Sequence, residues 1–147
     1  MALEMLTKDK INVREKVDSW ETAIKEAAQP LLNQGYFNTA YVEAMIESVY
    51  KYGPYIVVAP NIAIAHARPN GEVHKVGISL LKLREPIDFG QESHFARLIF
   101  VLSAVDNHSH IEVLQDLAKV LSDAHAVQQL LQSQHVDEMT TIIKGVE

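Results

Sequence analysis

The chain of 147 residues contains no cysteine. That excludes a disulfide framework, a thiolate nucleophile and a Cys-ligated zinc site. No apolar run approaches the ~18 residues that a membrane-spanning helix needs. The opening stretch MALEMLTKDKINVREK lacks the apolar core of a secretory signal. The expected address is therefore the cytoplasm. Positive charge is scarce: 13 Lys and Arg stand against 19 Asp and Glu, a net charge of −6. Such a balance disfavours binding to nucleic acid or to an anionic membrane surface. Glycine is sparse, at six residues, and no glycine-rich nucleotide loop is present, which argues against an ATP-using kinase. Neither G-x-S-x-G nor H-E-x-x-H occurs, so serine-hydrolase and helical zinc-protease chemistries lack their signatures.

What is present is an ordinary globular composition, 48% apolar and 22% charged, expected to form one domain over residues 1–147 with a polar, frayed lead-in at 1–10. Alternation over residues 11–17 is a weak strand signal. Asp18 and Glu21 suggest a capping pair, after which Trp20, Ala23, Ile24, Ala27, Ala28, Leu31 and Leu32 keep helical spacing. Pro30 should kink or end that helix and Gly35 marks the stop. A second helix places Tyr41, Val42, Met45, Ile46, Val49 and Tyr50 on one face, with Gly53 as its cap. Short strands follow over 55–58 and 62–65. Longer apolar runs, VGISLLKL and RLIFVLSA, read as strands covered on both faces. Three helical patterns close the chain. The expected fold is α/β, a three-layer sandwich with a mixed parallel and antiparallel sheet and helices on both faces.

Seven histidines are candidates for chemistry: His66, His74, His94, His108, His110, His125 and His135. Five lie in polar stretches and read as surface residues. His66 ends the apolar run YIVVAPNIAIA, at the point where a strand leaves the sheet, with Arg68 two residues on. Pro69 biases Arg68 toward an extended conformation and Gly71 lets the chain return. A guanidinium beside an imidazole suits an anionic oxygen ligand, although a surface histidine at a strand end is the plainer alternative. His110 lies in SAVDNHSHIEVL. Ser109 with Glu112 suggests a capping box that puts His110 at the first helical position. There the helix dipole would lower its pKa, and an anion would bind readily. A rival reading takes Asp106, His108 and His110 as metal ligands of a hydrolase, with D-x-H-x-H spacing.

The stretch GPYIVVAPNIAIAHARP resembles the phosphorylation loop of the enzyme IIA components of the phosphotransferase system, mannitol/fructose type. That family shows a short apolar strand, then A-[IML]-P-H-[AG]-[RT] around its phosphorylated histidine. Here the loop reads Ala63, Ile64, Ala65, His66, Ala67, Arg68, with alanine where proline is usual and without the glycine pair common upstream. The HIEVL that starts at His110 is similar to the family's second, helix-opening histidine motif. A W-x-x-A-I start at Trp20 also fits. The GPYIVVAP and HARP elements are nearest to the ascorbate branch.

The resemblance implies a phosphocarrier, with no cofactor and no metal. The phosphocarrier protein HPr would donate a phosphoryl group to His66. His66 would pass it to enzyme IIB, with a functional link to membrane enzyme IIC, for uptake of ascorbate or a related pentose or pentitol. His110 would stabilise the phosphoryl group and Arg68 would contact it. Imidazoles titrate near ~6.5, so much of the population is neutral and nucleophilic at cell pH. The resemblance also implies an exposed, shallow site with apolar contact from Ile62, Ile64, Pro54 and Tyr55. A free-standing transporter component is expected rather than a nitrogen-type regulatory module. Oligomeric state is left open, with a homodimer among the options.

Overall fold

A computed structural model describes residues 2–68, 71–90 and 94–146. Five strands form one sheet: β1 (Ile11–Arg14), β2 (Val57–Ala59), β3 (Asn61–Ala65), β4 (Gly77–Asp88) and β5 (Phe95–Ser103). Their spatial order is β1-β4-β5-β3-β2. β1 pairs parallel with β4, and β4 antiparallel with β5. β5 and β3 run parallel, and β3 turns back on β2 through a tight hairpin. Asn61 makes that turn at φ 71°, a left-handed conformation asparagine tolerates better than most residues. The sheet is thus mixed, as the sequence led us to expect.

Strand alternation sorts the core into two layers. One face carries Ala63, Ala65, Leu81, Leu83, Ile99 and Val101 against α1 (Trp20–Asn33) and α2 (Thr39–Tyr52). The opposite face carries Ile62, Ile64, Ile78, Leu80, Leu98, Phe100 and Leu102. It packs against α3 (Asn107–Leu121), α4 (Ala124–Gln132) and α5 (Val136–Val146). Ala23, Ala27 and Ala28 are fully buried where α1 lies over β4 and β5. Ser79 points into this layer, and its hydroxyl donates to the Ala27 carbonyl at 2.6 Å, which offsets the cost of burying it.

Several local expectations are corrected. Residues 2–10 are not a frayed lead-in: two short 3-10 turns, Ala2–Met5 and Lys8–Lys10, seal the α3–α5 face with Leu3 and Leu6 buried. Ser19, not Asp18, caps α1, its hydroxyl accepting from the Thr22 amide at 3.2 Å. The serine is the residue with the extended backbone a cap needs. α1 runs past Pro30 to Asn33. The prolyl ring removes only one intrahelical donor, and the apolar face of that last turn holds it in place. Tyr50 is not in the core. It is 67% exposed, its ring tilted at 59° against Trp20 with centroids 5.0 Å apart, and its hydroxyl donates to Glu21. β4 continues to Asp88, well past the apolar run.

Candidate functional site

β3 and β5 run parallel, with Ala65 opposite Val101, so both chains leave the sheet at the same end. From β3 the chain delivers His66. From β5 it passes through Ala104 and Val105 into α3, which carries His110. Residues 62, 64 and 66 share one strand parity, and Ile62 and Ile64 face the α3 layer. The His66 ring therefore emerges on the side where α3 begins. The two imidazoles lie with centroids 5.2 Å apart, tilted at 57°.

Among the described residues, one polar partner fixes the His66 ring. Nδ1 lies 3.0 Å from the Ile64 carbonyl. A carbonyl accepts only, so Nδ1 carries the proton and Nε2 keeps its lone pair. The edge of the Tyr55 ring meets the His66 ring at 5.9 Å between centroids, and the Tyr55 hydroxyl donates to the His66 carbonyl at 3.3 Å. Tyr41, buried on α2, anchors the next residue. Its hydroxyl accepts from the Ala67 amide at 3.2 Å and donates to the Leu102 carbonyl at 2.7 Å. One side chain thus ties the loop after β3 to β5, the strand that leads into α3. Burial pushes the Tyr41 hydroxyl up to about 12, so it stays protonated and keeps both roles. Sequence reading missed Tyr41 and gave Tyr55 only apolar contact. The signal was a tyrosine on a buried helix face, whose hydroxyl must find a partner.

His110 sits differently from expectation. Asp106 is the cap of α3, its carboxylate accepting from the Ser109 amide at 2.8 Å. The capping box is Asp106 with Ser109, not Ser109 with Glu112, which moves His110 to the fourth helical position. Its amide already donates to the Asp106 carbonyl at 3.1 Å. The helix start is therefore satisfied in part by a carboxylate, and the attraction for an anion rests on side chains more than on free amides. Burial, and then the proximity of His66, lowers the pKa of His110. The direction matches the sequence expectation; the leading cause is desolvation rather than the dipole.

A cleft of about 570 Å³ opens over the pair, walled by Ser48, Tyr52, Tyr55, Arg68 and Asn107. Arg68 is exposed on its rim, while Pro69 and Asn70 lie outside the described residues. The apolar surround differs from the expected one. Ile62, Ile64 and Pro54 are buried, the two isoleucines in the core beneath α3. Tyr52 and Tyr55 on the cleft wall, with Val105 and Ile111 flanking α3's start, are the exposed apolar groups there. The metal reading is not supported. Among the described residues no three His, Asp or Glu side chains gather as ligands would. Asp106 is spent on its cap, and His108 points outward, 3.7 Å from Glu112. Residues two apart on a helix diverge by about 200°, so His108 and His110 cannot share an ion from one loop.

Comparison with known proteins bears on this geometry. Residues 4–146 match the family described as the phosphoenolpyruvate-dependent sugar phosphotransferase system, EIIA 2. The chain is similar to the mannitol-specific cryptic phosphotransferase enzyme IIA component of Escherichia coli, with 32% identity over 133 residues and 90% of each chain covered. It is similar to the ascorbate-specific PTS system EIIA component of Mycoplasma pneumoniae, with 32% identity, 82% of this chain and 77% of that one. Among solved structures, the complex of enzyme IIAMTL and phosphorylated enzyme IIBMTL from Escherichia coli superposes with a TM-score of 0.84 at 28% identity, covering 95% of this chain and 97% of that one.

Proposed function

The chain belongs to the EIIA 2 family of the phosphoenolpyruvate-dependent sugar phosphotransferase system and is a phosphotransferase component, and from that premise we propose that His66 is the residue that carries the phosphoryl group. The observation that supports this most is the hydrogen bond from His66 Nδ1 to the Ile64 carbonyl. It holds the ring in the tautomer whose Nε2 lone pair faces out, as a nucleophile must.

The phosphoryl group comes from the phosphocarrier protein HPr. As the bond between phosphorus and the donor nitrogen breaks, its electron pair returns to the donor, and a new phosphorus–nitrogen bond forms at His66 Nε2. Positive charge that develops on the His66 ring is stabilised through the Nδ1 proton by the Ile64 carbonyl. The group adds nearly two negative charges to the cleft. His110 is neutral beforehand because burial and His66 disfavour its charged form. The arriving dianion reverses that, raises its pKa and draws a proton onto it. The imidazolium then donates a charge-assisted hydrogen bond to the phosphoryl oxygens, with the Arg68 guanidinium on the rim as a second contact. Enzyme IIB, the partner present in the IIAMTL complex, is the acceptor, and enzyme IIC takes the sugar across the membrane. The exposed Tyr52, Tyr55 and Ile111 supply apolar contact for both proteins in turn. The setting is cytoplasmic; no helix among the described residues is long and apolar enough to cross a membrane. The sugar is ascorbate or a related pentose or pentitol, a reading supported by the GPYIVVAP and HARP elements and by the ascorbate-specific relative.

Incubation with phosphoenolpyruvate, enzyme I and HPr should place one acid-labile, base-stable phosphoryl group on the protein. His66→Ala should accept none; full labelling of that variant would overturn the assignment.

A further inference from the structure

At the other end of the sheet from His66 lies a cavity of about 450 Å³, between β1, β4, the start of β5 and the end of α4. For a chain with a net charge of −6, its lining is unusual. Arg14, Lys82, Arg84 and Arg97 contribute four cations, and Glu15 is the one carboxylate among its lining residues.

Lys82 is the telling residue. It sits in β4 between Val13 of β1 and Leu98 of β5, facing the layer of Ile78 and Leu80, and is only 3% exposed. Among the described residues its ammonium donates no hydrogen bond and forms no ion pair, and since no fully buried side-chain nitrogen there lacks a partner, the ammonium is open to the solvent of the cavity. The stem is buried in the sheet and the head borders the cavity. Its charged neighbours make matters worse: burial, then Arg97 and Arg84, pull its pKa below the ordinary ammonium range, and Glu15 only partly offsets them. Arg97 is held by two carbonyls, Nε–H to Leu83 and an Nη–H to Leu131, each at 3.2 Å. Those carbonyls take two of its five N–H donors and supply no counter-charge. Glu15 leans toward Arg84 at 3.8 Å, with both side chains exposed, and Arg14 pairs outward with Glu26 at 3.5 Å.

An ammonium on a buried stem, held beside two guanidiniums at the mouth of a cavity, gains from an anion that enters it. A sheet that sets three cations around one cavity has the charge and donor set of an anion receptor. We infer that this cavity binds a small dianion, a phosphate group, with Lys82 and Arg84 as its direct ligands and Arg97 as a fixed counter-charge. The volume suits a phosphate with a body of a few carbons and is too small for a polynucleotide or a protein segment. Gln132 and Gln134 on the wall provide neutral hydrogen-bonding groups for hydroxyls of such a body. The shared chemistry is the phosphate; a free ion and a phosphate monoester are its two sources.

The test is a titration of the 15N-labelled protein with inorganic phosphate and, separately, with glycerol 3-phosphate. Residue-specific amide shifts distinguish this cavity from the His66 cleft, where phosphate also has reason to bind. The expected result is saturable shifts at Lys82, Leu83 and Gln132, weakened tenfold or more in Lys82→Met and by a smaller factor in Arg84→Gln. The tighter of the two ligands names the source. Arg84 is exposed, so its variant keeps the test alive if Lys82→Met does not fold. Shifts confined to Ala67 and Asn107, or titrations undiminished in both variants, would overturn the inference. Labelling of His66 in Lys82→Met is the readout that separates this site from the phosphocarrier reading, and it should be unchanged.

Discussion

The two ends of the sheet treat charge in opposite ways. At the His66 end, buried backbone groups answer the key polar side chains. Ile64 takes the Nδ1 proton, and Ala67 and Leu102 share the Tyr41 hydroxyl. What is left over is one lone pair on Nε2, one neutral imidazole 5.2 Å away and one guanidinium, Arg68, exposed on the rim. At the Lys82 end, the backbone answers Arg97 alone, and net positive charge is left over. The first arrangement suits a group that forms a bond to a phosphoryl and must later release it, since little fixed positive charge is waiting to trap it. The second suits an ion that only has to stay. A nucleophile is prepared by directing a single proton, a receptor by withholding counter-charge.

Removing the proposed nucleophile breaks the comparison most completely. His66→Ala should abolish labelling, while phosphate shifts at Lys82 persist. The next largest effect belongs to His110. Loss of one well-placed donor costs on the order of 10²-fold, so His110→Ala should still be labelled at His66 but about a hundredfold more slowly by rapid quench. His108→Ala, on the solvent side of α3, should match the wild type; the reverse pattern would show that the wrong histidine was chosen.

Tyr41→Phe sharpens the comparison, because it leaves His66 and His110 intact and removes only the hydroxyl that joins their two strands. The Ala67 amide and the Leu102 carbonyl lose a partner in a buried setting. Stability should fall by about 2 kcal/mol, read from chemical denaturation, and labelling should slow by roughly tenfold as the loop loses its register. Normal labelling alongside the stability loss would reduce Tyr41 to a core residue.

The smallest effect is a pH dependence whose sign depends on phosphorylation. In the resting protein His110 has a lowered pKa, so the unfolded chain takes up this proton first as pH falls. Its contribution is fully present above about pH 6.5, the unfolded value, and is lost as pH falls through the folded one. Thermal midpoints should therefore decline from pH 7.5 toward 5.5, with a shallower slope in His110→Gln. The lowered carboxyls, Asp9 and Asp106, act only below about pH 4 and do not confuse this window. The proposed proton uptake raises the His110 pKa in the phosphorylated protein, so the slope it contributes should reverse. A slope unchanged by phosphorylation would remove the proton uptake from the mechanism.

Much of this was legible in one dimension. Apolar periodicity found the five long helices and the strands, because a face that must be buried prints its period on the chain. The Ala63–Arg68 run and HIEVL singled out His66 and His110 from seven histidines. Boundaries and caps were less legible. Ser19 and Asp106 won their caps over plausible neighbours because capping depends on which residue adopts the extended backbone, and the approach of the chain settles that. Tyr50 has the spacing of a core residue yet lies outside, since Trp20 already covers that edge of α1. Lys82 drew no notice at all: VGISLLKL reads as a strand covered on both faces, and nothing local says that its one lysine stands with Arg84 and Arg97 around a cavity.

By itself, then, the sequence determined where an imidazole ends a strand, which residues are apolar enough to build two layers, and that neither thiolate nor nucleotide-loop chemistry is available. Only the tertiary structure decided that β3 lies parallel and adjacent to β5, so that two histidines 44 positions apart open on one cleft. It also set the tautomer of His66, the bridging role of Tyr41 and the isolation of Lys82. The physical reason is common to all of these. Strand pairing and strand parity are relations between distant segments, fixed by burying both faces of the whole sheet at once, and no local window of the chain contains them.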